Sequence, residues 1–111
     1  MTSTNKTTRL ILEFLCKQGI FAWRNSVGTT SVRGHFYQMG KIGSSDIFAI
    51  IKGGYFLGIE VKTGKDKLRP EQIGFIKNVQ HMGAGVIVAK DFDDFQKQFV
   101  IHEAALKVIH N

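Results

Sequence analysis

Glu60 and Lys62 flank Val61 in the stretch Ile59-Glu60-Val61-Lys62, which reads as a β-strand. Side chains alternate across a strand, so the carboxylate and the ammonium share one face. A second carboxylate, Asp46, lies upstream across the hairpin signal Gly53-Gly54. Whether the two acids meet depends on the turn. A two-residue turn at Gly53-Gly54 sets Asp46 opposite Val61 and turns Glu60 away. A three-residue connection, Lys52 to Gly54, sets Asp46 opposite Glu60, as would a bulge near Asp46. The chemistry below requires one of the last two arrangements.

Adjacent carboxylates repel, and each raises the other's pKa unless a cation sits between them. Lys62 offers one positive charge. A divalent ion offers two, and Mg²⁺ takes a few carboxylate oxygens and completes its octahedron with water and phosphate oxygens. An ion held this way lowers the pKa of a bound water and stabilises charge on a phosphodiester. Lys62 could then orient or help deprotonate the attacking water. The Val61 carbonyl, between the two charged residues, is a further candidate ligand. Gln72 falls in the middle of a helical face formed by Phe75, Ile76, Val79 and Met82, so its amide is aimed at the sheet and needs partners there. It is expected to bridge Lys62 and metal-bound water, or else to bond the backbone at the helix start. Glu13, beside the apolar face of the first helix, is a candidate outer ligand through water. An ion pair with Lys17, one turn on, is the competing reading. A cross-strand salt bridge likewise remains the plain alternative to a metal site.

These residues must be positioned by ordinary elements. Thr4 or Asn5 caps a first helix that runs to about Gln18, where Gly19 stops it. Ile20 to Trp23 is a short strand. Asn25 to Gly43 reads as a long loop with a short strand near Val32 to Phe36. Asp46 to Lys52 and Tyr55 to Lys62 form the hairpin, and Thr63 to Arg69 is a basic loop. Pro70 opens a second helix that Gly83 ends, and Val86 to Ala89 is a buried strand. Asp91 caps a C-terminal helical stretch, with a break expected near Val100. The order predicts one α/β domain over residues 1–111 with a central mixed sheet flanked by helices.

The totals suit that architecture. The 111 residues allow one domain with a modest core. Cys16 is the sole cysteine, which excludes an internal disulfide and a cysteine metal cage, and it is expected to be an inert core thiol. No apolar run is long enough to span a membrane and no secretory leader is recognisable, so the chain reads as intracellular. Net charge is +6, and residues 1–90 carry thirteen Lys/Arg against five Asp/Glu. A basic body points to a polyanion, with nucleic acid first.

Taken together, Asp46, Glu60-Val61-Lys62 and Gln72, behind a helix bearing Glu13, resemble the PD-(D/E)XK nuclease superfamily. More narrowly, "FAWRN", "GSSDIFAI", "GGYFLGIEVKTGKDKL" and "RPEQIGFI" are similar to the VRR-NUC domain, the virus-type replication and repair nuclease. The likeness covers most of residues 9–95. It implies a restriction-endonuclease-like αβββαβ core in which Asp46 and Glu60 bind Mg²⁺ or Mn²⁺ and Lys62 is the catalytic lysine. Gln72 and Glu13 would stand at the family's helix glutamine and N-terminal acidic positions. Arg24 and Asn25 match its strand-end Arg-Asn pair and would bind phosphate or brace the site. Ser45 stands where proline is common before the aspartate. Arg33, His35 and Lys41 from the long loop, and Lys65, Lys67 and Arg69 from the other side, are candidates to follow a DNA backbone. The resemblance also implies a bacterial or phage-encoded cytoplasmic enzyme that cuts DNA, with branched DNA as substrate and a homodimer as the resolvase-like arrangement. A non-catalytic nucleic-acid-binding module, or a subunit active only with a partner, would carry the same basic surface.

Overall fold

The computed structural model describes residues 3–110, with the backbone alone at 28–30, 37–39 and 106–110. Helix α1 (Ser3–Lys17) buries Ile11 and Leu15 on one side. It ends in a Schellman motif, the Gly19 N–H bonding the Cys16 carbonyl at 3.0 Å and the Ile20 N–H the Leu15 carbonyl at 2.9 Å. Cys16 is exposed rather than in the core, because Ile11 and Leu15 set the buried stripe and position 16 lies off it.

Four strands form the central sheet, in the order β1 (Phe21–Arg24), β4 (Ile47–Ile51), β5 (Tyr55–Val61) and β6 (Gly85–Ala89). The first three are antiparallel; β6 runs parallel to β5 after a crossover through α2 (Pro70–His81). The β4–β5 ladder pairs Ile51 with Tyr55 and Ile47 with Ile59. That register is the three-residue connection through Lys52, Gly53 and Gly54. The Gly54 N–H bonds the Ile51 carbonyl at 3.0 Å with its own φ at +87°, a conformation that a side chain would disfavour. Continued one step past Ile47, the register sets Asp46 opposite Glu60.

Both sheet faces are covered, so the strands read as apolar runs rather than clean alternation. On one face Ile47, Ala49, Leu57, Ile59, Val61, Ile87 and Ala89 pack under α1 and α3 (Phe92–His110). Phe14 joins the two helices, meeting Phe92, Phe95 and Phe99 edge-on at 5.4–6.0 Å between ring centres. Phe95 is fully buried. Phe95→Ala is therefore expected to cost about 3–5 kcal/mol of stability, measurable by urea unfolding. The other face carries α2 and a row of rings from Phe21 and Trp23 through Phe48 to Phe56 and Phe75.

Three expectations change. Residues 25–43 contain a second, two-stranded sheet of β2 (Gly28–Val32) and β3 (His35–Met39), with Val32 paired to His35 across Arg33-Gly34. A turn therefore falls inside the stretch expected to be a strand. Helix α3 runs unbroken through Val100, whose side chain simply faces solvent while Phe95 and Phe99 face the core. Met82 is 82% exposed at the C-cap of α2 and takes no part in that helix's buried face.

Candidate active site

Asp46 sits at the entrance to β4, where neighbours on three sides fix it. The Asn25 N–H bonds the Asp46 carbonyl at 2.8 Å. The Asn25 side-chain amide donates to Ser44 Oγ at 2.7 Å and to the Ser45 carbonyl at 2.9 Å, clamping the approach to Asp46 onto the end of β1. Ser45 is buried over Gly58, where a Cβ would lie 2.6 Å from Ser45 Oγ; only glycine leaves room beneath it. The Asp46 carboxylate in turn accepts the Val61 N–H through Oδ2 at 2.7 Å. A side chain thus takes a place that a backbone carbonyl fills elsewhere in the ladder. Because the N–H and C=O of an extended residue lie along one edge, the Val61 carbonyl is also directed to the Asp46 side.

Glu60 is 2% exposed, and its Oε1 accepts a hydrogen bond from Gln72 Nε2 at 2.9 Å. Its carboxyl is pushed up to about 8, chiefly by burial, then by the negative charge of Asp46 and a hydrogen bond shared with it. Lys62 and Arg69 offset part of this rise. Without a metal ion, Glu60 therefore keeps its proton well above the ordinary carboxylate range.

Gln72 owes its position to the start of α2. Its Oε1 accepts the Arg69 N–H at 2.8 Å, while its amide reaches Glu60. The two readings of Gln72 are thus combined in one side chain: it caps the helix and orients the acid. Its partner in the site is Glu60 rather than Lys62. Lys62 follows β5 directly, half-buried, with its N–H bonded to the Ala89 carbonyl at 2.8 Å. The loop after it is tied to α1 through the Thr4 and Thr63 hydroxyls, 2.6 Å apart.

A cleft of about 600 Å³ opens beside Asp46, with Arg24, Asn25, Arg69 and Gln72 also in its wall; Glu60 is buried behind that wall, and Lys62 likewise lies outside it. Arg24 Nη2 donates to Asn5 Oδ1 at 3.0 Å, which orients its guanidinium. Two guanidinium groups on one cleft with the Asp46 carboxylate suit a phosphodiester that must approach an acidic centre. A family model described as the VRR-NUC domain matches residues 2–92.

The chain belongs to the VRR-NUC family. No curated protein and no solved structure gives a significant match. VRR-NUC membership carries a nuclease-type function and DNA binding, in a family that is generally metal-dependent. The four-stranded mixed sheet flanked by helices agrees with a nuclease core. The match ends at Phe92, the first residue of α3, yet Phe95 and Phe99 are buried in the core. The structural domain therefore extends past the matched segment. Among the described residues, no helix is long and apolar enough to cross a membrane.

The donor set fits a magnesium-like ion better than a zinc-like one. Among the described residues, no three His, Cys, Asp or Glu side chains converge. Two carboxylates, Asp46 and Glu60, stand opposite each other on neighbouring strands beside the Val61 carbonyl, and a divalent cation between them would offset their repulsion. Mg²⁺ is commonly held by one or two carboxylates, with water and substrate phosphate supplying the rest.

The other sequence candidates are dispersed. Glu13 is exposed on α1 and pairs with Arg9 at 3.9 Å, not with Lys17, and it is absent from the cleft wall. Arg33 stands at the turn of the β2–β3 ribbon. Lys41 borders a separate apolar groove with Phe56, Phe75 and Met82. Lys65 and Lys67 are exposed on the loop between β5 and α2. The bracing by Ser44 and Ser45 escaped the sequence reading, since nothing in their spacing marks it. Asn25 carried a signal only through its resemblance to the family's Arg-Asn pair.

Proposed function

We propose that this chain is a Mg²⁺- or Mn²⁺-dependent, structure-selective DNA endonuclease, working inside the cell as a homodimer on branched DNA in the manner of a Holliday-junction resolvase. The observation that carries this reading is the register that sets Asp46 opposite buried Glu60, with Asp46 opening on a cleft that also holds Arg24 and Arg69. When bound there, the ion supplies Lewis-acid polarisation of the phosphodiester and an acidified water.

The chain's own groups do the rest. Asp46, fixed by Val61, and Glu60, held by Gln72, present their oxygens on adjacent strands. Lys62, as an ammonium, orients the attacking water and offsets negative charge as it builds on the phosphate. Arg24 and Arg69 hold the phosphate, while Lys65, Lys67 and Lys41 extend the contact along the backbone. Such contacts give affinity without reading sequence.

Junction resolution requires two cuts, and one site per chain makes a twofold dimer the natural assembly. The β1 edge supports this: among the described residues no strand pairs with its outer side, and Phe21 and Trp23 are exposed on it. On α3, Val100 and Ile101 are also exposed.

The test is cleavage of a four-way junction with Mg²⁺, Mn²⁺ or chelator, alongside Asp46→Asn and a sedimentation measurement of the free protein. Paired nicks that need metal and vanish in the variant are expected. Undiminished cutting under chelation, or by Asp46→Asn, would remove the proposal, and a monomer that resolves junctions would remove the dimer.

A further inference from the structure

We propose that the β2–β3 ribbon is a wedge for branched nucleic acid: Arg33 holds a backbone phosphate and Phe36 stacks on a base left unpaired at the branch. This rests on the nuclease reading, since it assigns to the ribbon the choice of substrate for the same cleft.

The ribbon rises from the cleft itself. Ser26 and Val27 before it, and Ile42 and Gly43 after it, line the wall that also contains Asp46. Every side chain from Ser31 to Phe36 is exposed. Phe36 is 79% exposed and Val32 52%, so two apolar side chains of the ribbon stand largely or half in water. A lone two-stranded ribbon is marginal by itself, which favours a role completed on binding. Charge indicates the partner: residues 25–43 contain Arg33, His35 and Lys41 and no Asp or Glu. An aromatic side chain beside an arginine in an acid-free segment suits a base and its phosphate.

The turn supports the same assignment. Arg33 and Gly34 have φ of 52° and 80°, the two left-handed residues of a type I′ turn. Asparagine or glycine suits the first of these positions better, and Arg33 is the one non-glycine residue with positive φ among those described. An arginine kept where the backbone disfavours it points to a use for its guanidinium.

Reach and magnitude define the substrate. Five residues of extended strand span roughly 16 Å, or about five base-pair steps along a duplex. The tip therefore meets DNA some way from the bond being cut. Opening an intact duplex costs about as much as one aromatic contact returns, so the wedge gains only where a base is already unpaired. Structure selectivity follows from that balance.

The test uses the full chain without catalytic metal and two DNAs carrying 2-aminopurine: a four-way junction with the probe as an unpaired base at the branch, and an intact duplex with the probe paired. Wild type is expected to change the fluorescence of the branch probe on binding, and Phe36→Thr, which keeps strand propensity, to abolish that change. Both Phe36→Thr and Arg33→Asn should lose about tenfold in junction affinity, with less than a twofold change on duplex. Arg33→Asn suits the turn, so its melting temperature should hold or rise; a purely structural tip would show no binding loss in that variant. Wild-type affinity and fluorescence in both variants would overturn the proposal, as would failure of the wild type to bind branched DNA. Loss of self-association in Phe36→Thr with DNA binding intact would reassign the tip to a second copy, and so also overturn it. Binding through the tip without cutting under any metal would sink the nuclease reading and leave the wedge standing.

Discussion

Glu60→Gln is expected to abolish cleavage while making the metal-free protein more stable at alkaline pH. Glutamine keeps the shape, can still accept from Gln72 and can donate toward Asp46, but it neither ionises nor binds a hard cation. The native carboxyl is pushed up to about 8 from an ordinary value near 4.5, so the folded state holds this proton more tightly than the unfolded chain. The stability this contributes is complete below about pH 4.5 and is lost as pH rises through 8. Between pH 5 and 9 the wild type in chelator should lose on the order of a few kcal/mol that Glu60→Gln retains. Urea unfolding of both proteins across that range isolates the difference from every other titrating group. Added Mg²⁺ should restore the wild type at pH 9 and leave the variant unchanged. Cleavage should fall at least about a hundredfold in the variant, the scale of removing a metal ligand. Parallel pH profiles for the two proteins would show that Glu60 is not the group holding the proton.

Lys62→Ala carries the second large effect, on rate rather than stability. The Lys62 main chain is anchored to Ala89 through its own N–H, so truncating the side chain leaves β5 in place. Single-turnover cutting should drop about 10²–10⁴-fold, the range for loss of a positioned acid–base group. Junction affinity measured without catalytic metal should move by less than tenfold, since Lys62 is one cation among many in a basic chain. Lys62→Arg separates two roles. Arginine restores charge but gives up no proton, so substantial recovery would assign Lys62 to electrostatic stabilisation, and none to proton transfer. An unchanged rate in Lys62→Ala would remove Lys62 from the chemistry.

The acidic pair was legible because strand pairing is arithmetic: two glycines, a possible third turn residue and a period of two leave few registers, and the observed one sets Asp46 beside Glu60. Gln72 was legible as a polar residue in the middle of an apolar helical face, and it is 4% exposed. The ion-pair partner of Glu13 was not legible because a wheel gives direction but not partners; Arg9 lies one turn before it as Lys17 lies one turn after. The β2–β3 ribbon was hidden by its turn, since Arg-Gly lacks the usual Asn-Gly signature. Cys16 was read from its apolar neighbours, whereas burial on α1 follows Ile11 and Leu15. The clamp by Asn25 on Ser44 and Ser45 joins segments that are distant in sequence, and local periodicity does not report such contacts.

The bond from the Val61 N–H to Asp46 Oδ2 has a consequence for how this scaffold can change. Because an acidic side chain is stitched into the strand ladder, it cannot drift unless two central strands separate. The proposed metal-binding pair is thereby tied to the central sheet. The segments that would meet substrate, residues 26–43 and 63–69, hang outside that lattice. Such a scaffold can exchange its outer segments and acquire new preferences among nucleic acids while the proposed site stays where it is.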